Sequence, residues 1–279
     1  DAAGKPIYLE LSSVNPIVIL PQAMEQRHEE LATEFTGSCL MGTGQFCTNP
    51  GLVVVLKSDA TDSFITALSE QFAEAPVGTL LSSGVESSLE SNLRVLVDAG
   101  AEIVVGNTPA DSDRYCYANT LLQITAQQFI ADPDTMQTEA FGNSSLLVIT
   151  ESMDEVNAVI ACFEGNLTGC IYSATDGSDD AAYDQIAANL QSKVGRMLND
   201  KMPTGVAVSA AMNHGGPFPA TGHPGFTAVG IPGSLLRFAM LQCYDNVRHD
   251  RLPASLQDEN PNGDLWRCID GNWTQVNIP

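Results

Sequence analysis

Basic side chains are scarce in this sequence: 12 Lys and Arg stand against 34 Asp and Glu, a formal charge of −22. Phosphate backbones and anionic membrane surfaces are held by clustered cations, so nucleic acid and lipid headgroups are excluded as expected partners. No apolar run approaches the roughly 18 residues that a membrane-spanning helix needs, and no charged segment leading into an apolar stretch opens the chain. The seven cysteines are odd in number and never occur as CxxC, which argues against a zinc ribbon or a dithiol redox site and for reduced thiols in a cytoplasm. His28, His214, His223 and His249 form no i, i+4 pair, so the spacing leads us to expect no metal site. There is no GxGxxG or P-loop, since Gly42-Thr43-Gly44 continues into Gln45 without either pattern, and no internal repeat or low-complexity tract. The sequons at Asn143, Asn166 and Asn272 read as chance matches.

What is present is a chain of 279 residues with 44% hydrophobic content, enough for a large buried core. Short runs rich in β-branched residues alternate with amphipathic segments. The patterns predict strands at 6–10, 51–57, 102–106, 119–125, 145–150, 168–174 and 204–210, and helices at 22–41, 61–75, 84–99, 152–163 and 179–200. Such alternation defines an α/β fold. Thr61-Asp62-Ser63 and Ser152-Met153-Asp154-Glu155 supply capping oxygens and early acids, and Gly100 suits a left-handed helix stop. Beyond about Gly215 the composition turns to Gly and Pro, followed by a helix-like run at 234–243 and a polar remainder rich in turn signals.

Two side chains stand out chemically. Cys47 lies in Gly44-Gln45-Phe46-Cys47-Thr48-Asn49-Pro50, a polar turn between an apolar helical segment and a strand, where substrate can reach a thiol. Taken alone, a cysteine is more often a small buried hydrophobe. Glu10 lies in Tyr8-Leu9-Glu10-Leu11-Ser12-Ser13-Val14-Asn15-Pro16, where apolar neighbours would desolvate a carboxylate and tune it for general-base work. Under simple strand alternation the same Glu would point to solvent, and Asn15-Pro16 reads as a turn.

The Glu-Leu-Ser-Ser-x-Asn-Pro and Gly-Gln-x-Cys segments, followed by Thr138-Glu139-Ala140-Phe141-Gly142, resemble the aldehyde dehydrogenase superfamily in the right order. Asn213-His214-Gly215-Gly216-Pro217-Phe218-Pro219-Ala220-Thr221 and Asp258-Glu259-Asn260-Pro261 resemble the branch of alpha-ketoglutaric semialdehyde (2,5-dioxovalerate) and NADP-dependent fatty aldehyde dehydrogenases. The resemblance implies an aldehyde dehydrogenase catalytic domain, a mixed or parallel sheet flanked by helices, with most of the N-terminal cofactor-binding domain absent. Residues 1–11 then end the cofactor-binding domain, 12–230 form the catalytic domain, and 231–279 form a tail that packs on it and offers oligomer contacts.

In the same way it implies NADP or NAD as cofactor, Cys47 as nucleophile, and Glu10 as the base that activates water against a thioester. Glu139 and Phe141 would hold the nicotinamide ribose and ring, and His214 would lie near the substrate entrance. Expected partners are an aldehyde and either a complementary N-terminal half or further copies of the chain. Two other readings stay open: a remnant serving as a binding or assembly module, and a cysteine esterase that needs no nicotinamide.

Overall fold

The computed structural model describes residues 4, 7–110, 113–223, 235 and 238–278. The chain divides into two units, Asp1–Ser234 and Leu235–Pro279. In the first, strands β1 (Ile17–Ile19), β2 (Leu52–Leu56), β3 (Glu102–Val105), β4 (Thr120–Thr125), β5 (Ser144–Thr150), β6 (Asn166–Tyr172) and β7 (Val194–Asn199) make one sheet in the order β3-β4-β5-β2-β1-β6-β7. Only β3 runs antiparallel to its neighbour; every other pair is parallel. A parallel sheet covered on both faces needs strands with near-continuous apolar runs, and Leu52–Leu56 (LVVVL) and residues 146–149 of Ser144–Thr150 (SSLLVIT) have that character.

Helices α1 (Pro21–Leu40) and α2 (Asp59–Glu74) cover one face, where Phe35, Phe64 and Phe72 meet Ile17, Val53 and Leu147. On the other, α3 (Ser83–Asp98), α4 (Ala126–Ala131), α6 (Met153–Ala161) and α7 (Asp180–Gln191) bring Leu93, Phe129, Val159 and Ile186 onto Val18, Val54 and Val148. A one-turn helix, α5 (Pro133–Met136), lies between α4 and β5. Helices α2, α3 and α6 start where a serine satisfies an orphan amide: Ser58 accepts from the Thr61 amide, Ser82 from that of Val85 and Ser152 from that of Glu155. Gly100 stands at φ 111° after α3, as its stop requires.

Several local expectations are corrected. Of the strand expected at 6–10, residue 6 lies outside the described residues and 7–10 form no strand; Glu10 makes a single antiparallel bridge to Thr221. Residues 204–210 also form none, and Val208 is 76% exposed, so the run has no apolar face to bury. The helix predicted over 179–200 stops at Gln191, and Val194–Asn199 is the edge strand β7. Ile186, Leu190, Val194 and Met197 keep a helical spacing, but the open edge of β6 captures the segment after Ser192-Lys193, an override of local pattern by tertiary pairing. Conversely Ile17–Ile19, fully buried between β2 and β6, is only three residues long between Pro16 and Pro21, too short to leave a periodic signal. The capping at 61–63 is also displaced, to Ser58. Within 234–243, residues 234, 236 and 237 lie outside the described residues, and 239–243 are not helical.

The second unit carries a hairpin, β8 (Arg267–Ile269) and β9 (Asn272–Thr274), closed by Asp270-Gly271 with φ of 48° and 83°. Two positive φ values define the tight turn that Asp-Gly favours. The buried guanidinium of Arg267 donates to the carbonyls of Gln257 (2.7 Å) and Val276 (2.7 Å), tying the unit's irregular chain to the hairpin.

One distant residue secures the central layer. Leu20, the N-cap of α1, has no side-chain hydrogen bond to give, and the task passes to Asp179, at the other end of β6. Its buried carboxylate accepts from the amides of Gln22 (3.1 Å), Ala23 (2.8 Å) and Ala174 (2.9 Å). Asp179→Ala leaves those amides unpartnered and removes a charge from the positive end of a helix, so it is expected to cost about 2–4 kcal/mol in a denaturant titration.

Candidate active site

The residues singled out from sequence gather at one edge of the sheet. Glu10 and Ser13 precede β1, Cys47 precedes β2, Glu139 and Phe141 precede β5, and Leu167 opens β6: all at the amino ends of parallel strands. Glu10, Leu11, Ser13, Cys47, Glu139, Phe141 and Leu167 line a cleft of about 350 Å³.

Cys47 is held by Asn15. This fully buried side chain sits at φ 47°, a conformation that asparagine tolerates better than most residues. Its Nδ2 donates to the carbonyls of Cys47 (2.9 Å) and Asn49 (2.9 Å), and its Oδ1 accepts from Ser13 Oγ (2.9 Å) and Thr168 Oγ1 (2.9 Å). Asn166 completes the frame, its Oδ1 accepting from the amides of Val14 (2.8 Å) and Asn15 (3.1 Å). The buried turn at Asn15-Pro16 is therefore also the clamp on the cysteine loop, and Asn166, read as a chance sequon, is buried within it. Gly44, at φ 66°, lies flush against the backbone of Gly142, where a Cβ would collide with the carbonyl oxygen. It thus brings the cysteine loop against the 139–142 segment rather than against Cys47 itself.

The approach of His214 was invisible in the sequence. The chain returns from β7 and lays 220–222 beside 9–11, with Leu11 donating to the Ala220 carbonyl (2.9 Å) and Gly222 to that of Leu9 (2.9 Å). Gly195 lets the loop press onto β7, Asn213 donates to the Gly195 carbonyl (3.2 Å), and Arg196 donates to that of Asn213 (3.1 Å). His214 Nε2 then lies 3.6 Å from Cys47 Sγ and 3.4 Å from Glu10 Oε2. The absence of an i, i+4 pair is no guide here. Ligand atoms of Glu10, Cys47 and His214 lie within 4.8 Å of one another, a metal-capable cluster drawn from three distant segments.

The charges respond to this contact. His214 is raised from 6.5 to about 9, through its hydrogen bonds to Cys47 and Glu10, against the opposing effect of burial. Glu10 is lowered by the His214 hydrogen bond, which outweighs desolvation. Glu139 moves the other way: burial raises it, partly offset by hydrogen bonds from the Ser13 amide (3.2 Å) and the Ser12 side chain, and the charge of Glu10 adds to the rise. Among the other cysteines, Cys39 and Cys170 are buried and pushed up to about 12 by desolvation, Cys116 is buried and Cys162 half-buried, while Cys243 and Cys268 are exposed like Cys47.

A family model described as aldehyde dehydrogenase family matches residues 1–216, and the chain belongs to that family. It is 38% identical over 258 residues to alpha-ketoglutaric semialdehyde dehydrogenase 2 of Azospirillum brasilense, covering 92% of this chain and 48% of that protein. To alpha-ketoglutaric semialdehyde dehydrogenase of Acinetobacter baylyi it is 34% identical over 270 residues, covering 97% of this chain and 51% of the relative. The chain thus spans about half the length of these relatives. Among solved structures, betaine aldehyde dehydrogenase of Staphylococcus aureus in complex with NAD+ superposes with a TM-score of 0.66 at 20% identity, over 83% of this chain and 45% of that one. A 1-pyrroline-5-carboxylate dehydrogenase does so with a TM-score of 0.64 at 17% identity, over 77% and 40%. These two likenesses show the fold: the α/β architecture is that of an aldehyde dehydrogenase.

Two tests follow from the geometry. Asn15→Gly keeps the positive φ but loses the hydrogen bonds to Cys47 and Asn49, and is expected to cost about 2 kcal/mol in chemical denaturation; Asn15→Ala should cost about 1–2 kcal/mol more, from left-handed strain. The His214 shift has a defined pH signature. A group whose folded pKa is raised contributes stability fully below its unfolded value and loses it as pH rises through the folded one. The stability gap between wild type and His214→Ala should be full at about pH 6 and vanish by about pH 10, a window set by the shift from 6.5 to about 9. A gap independent of pH would dissociate the imidazolium from the cluster.

Proposed function

We propose that this chain supplies the catalytic half of an NAD(P)-dependent aldehyde dehydrogenase, oxidising an aldehyde to a carboxylic acid through a thioester on Cys47. The observation that carries this reading is the convergence of Cys47, Glu10, Glu139 and Phe141 on one cleft. The two curated relatives named for alpha-ketoglutaric semialdehyde make 2,5-dioxopentanoate the first substrate to test, with a fatty aldehyde the second.

His214, raised to about 9, stands as an imidazolium 3.6 Å from Cys47 Sγ and 3.4 Å from Glu10 Oε2, a cation that favours the thiolate form of the sulfur. The thiol proton leaves to solvent, and the thiolate attacks the aldehyde carbon. The Cys47 backbone N–H is the donor this chain offers to the oxyanion. The chemistry that a bound dinucleotide supplies is acceptance of hydride. Glu139 fits the ribose end of that cofactor, because a half-buried carboxylate raised by desolvation, with only the Ser12 and Ser13 donors named above, has acceptor capacity left for two ribose hydroxyls. Phe141, 36% exposed, offers a flat apolar surface on the same cleft. Glu10 then takes a proton from the water that hydrolyses the thioester. Its lowered pKa keeps it ionised, as a base must be.

The partner that fits is a complementary N-terminal half, in the same chain or a separate one, or further copies of this chain. Such a half would bring a second oxyanion donor; loss of one such donor costs about a hundredfold or more in rate, so the 279-residue chain alone is expected to oxidise aldehydes weakly or not at all. One observation favours a second reading. The Cys47, His214 and Glu10 cluster is complete within this chain, which suits cysteine-dependent ester hydrolysis without nicotinamide.

The deciding measurement separates acylation from deacylation. In a complete assembly, Glu10→Gln is expected to form the acyl-enzyme in a pre-steady-state NAD(P)H burst, seen by intact mass, while turnover falls by roughly 10²–10⁴. Cys47→Ala should abolish the adduct. Unchanged turnover in Glu10→Gln would remove Glu10 from the mechanism.

A further inference from the structure

The way His214 meets its two partners differs from a nucleophile–histidine–acid relay. In such a relay one ring nitrogen faces the nucleophile and the other the carboxylate. Here a single atom, Nε2, faces both Cys47 Sγ at 3.6 Å and Glu10 Oε2 at 3.4 Å. Thiol sulfur, imidazole nitrogen and carboxylate oxygen therefore point toward one common volume, all within 4.8 Å of one another.

That arrangement has the dimensions of a coordination sphere. With Zn–S near 2.3 Å, and Zn–N and Zn–O near 2.0–2.2 Å, tetrahedral angles place sulfur about 3.5 Å from nitrogen and nitrogen about 3.3–3.5 Å from oxygen. The observed 3.6 Å and 3.4 Å match two of the three edges, and the third, sulfur to oxygen, lies within 4.8 Å. Two of the three loops are also clamped: Asn15 holds the Cys47 carbonyl, and Arg196 that of Asn213, next to His214. Thiolate with imidazole selects zinc and its soft neighbours over magnesium or calcium, which prefer all-oxygen sites. A fourth position would open on the cleft and leave room for water.

We propose that Glu10, Cys47 and His214 form a binding site for a thiophilic divalent cation, zinc in the first instance, and that its occupancy silences the nucleophile. Coordination displaces the proton shared within the cluster, which leaves to solvent, and engages the sulfur lone pair that would attack an aldehyde. The same ion takes up the Glu10 oxygen that would activate water. Binding thus competes with protons as well as with substrate, and tightens as pH rises. The site stands on geometry alone, although the loss of activity that it predicts rests on the functional reading above.

Co2+ is the probe, because tetrahedral thiolate ligation gives visible d–d bands and a near-ultraviolet sulfur-to-metal charge-transfer band. The 279-residue chain, kept reduced with a non-thiol phosphine, should develop both bands at one equivalent, and Zn2+ should erase them. Cys47→Ser should abolish the charge-transfer band, while His214→Ala and Glu10→Gln should each weaken Co2+ binding at least tenfold. A band that survives in Cys47→Ser, or affinity unchanged in both other variants, overturns the site. Should a variant fail to fold, the wild-type chain decides: Zn2+ should slow iodoacetamide labelling of Cys47 at least tenfold, reversibly with EDTA, and leave exposed Cys243 and Cys268 unaffected. Equal protection of all three overturns the proposal. Because neither readout requires turnover, a metal-binding chain without dehydrogenase activity in a complete assembly would defeat only the functional reading, and an active enzyme that ignores Co2+ only this one.

Discussion

The site depends on a buried amide. Asn15 stands at the head of β1 and donates to the carbonyls of Cys47 and Asn49, while accepting from Ser13 and from Thr168 on the neighbouring strand. Three segments distant in sequence are thereby set relative to the interior of the sheet rather than to one another. In a water-free setting each of these bonds is costly to break, because the freed carbonyl or hydroxyl has no solvent to turn to. A reactive loop gains a fixed position in this way while its side chain stays exposed.

Placing the chemistry at the amino ends of the strands has a further consequence. Loops entering β1, β2 and β5 carry Glu10, Cys47 and Glu139, and these are short connections leaving buried helices or turns. Only His214 arrives from a segment outside the sheet, and it is held by backbone contacts to β7 and by the pairing of 220–222 with 9–11. Each side chain is thus supported by the rigid sheet even though none lies within a strand.

The two carboxylates on the cleft are driven apart. Glu10 is lowered because His214 meets it with a shared proton, whereas Glu139 is raised because burial outweighs its serine donors. Opposite shifts of like groups in one cleft separate a carboxylate suited to remain charged from one suited to accept hydroxyl donors. His214 sits at the hinge of this division, its own pKa carried to about 9 by the sulfur and the carboxylate together.

The sequence by itself determined the alternation of strands and helices, the β2 run whose uniform apolarity demands burial on both faces, the serine-capped start at 152, the helix stop at Gly100 and the ordered motifs around Glu10, Cys47 and Glu139. These are local properties: propensity, periodicity and turn chemistry act over a few residues. What only the tertiary structure decided was non-local. A three-residue strand became an interior strand of the sheet because its neighbours β2 and β6 bury it, and 194–199 became strand rather than helix because β6 had an open edge. Asn15 acquired its acceptors only when the cysteine loop folded over it. His214 reached Cys47 and Glu10, which lie 167 and 204 positions away in the chain, through a loop return that no spacing rule encodes. A cluster of side chains from three segments has no sequence period, so its chemistry exists only once the sheet has brought the segments together.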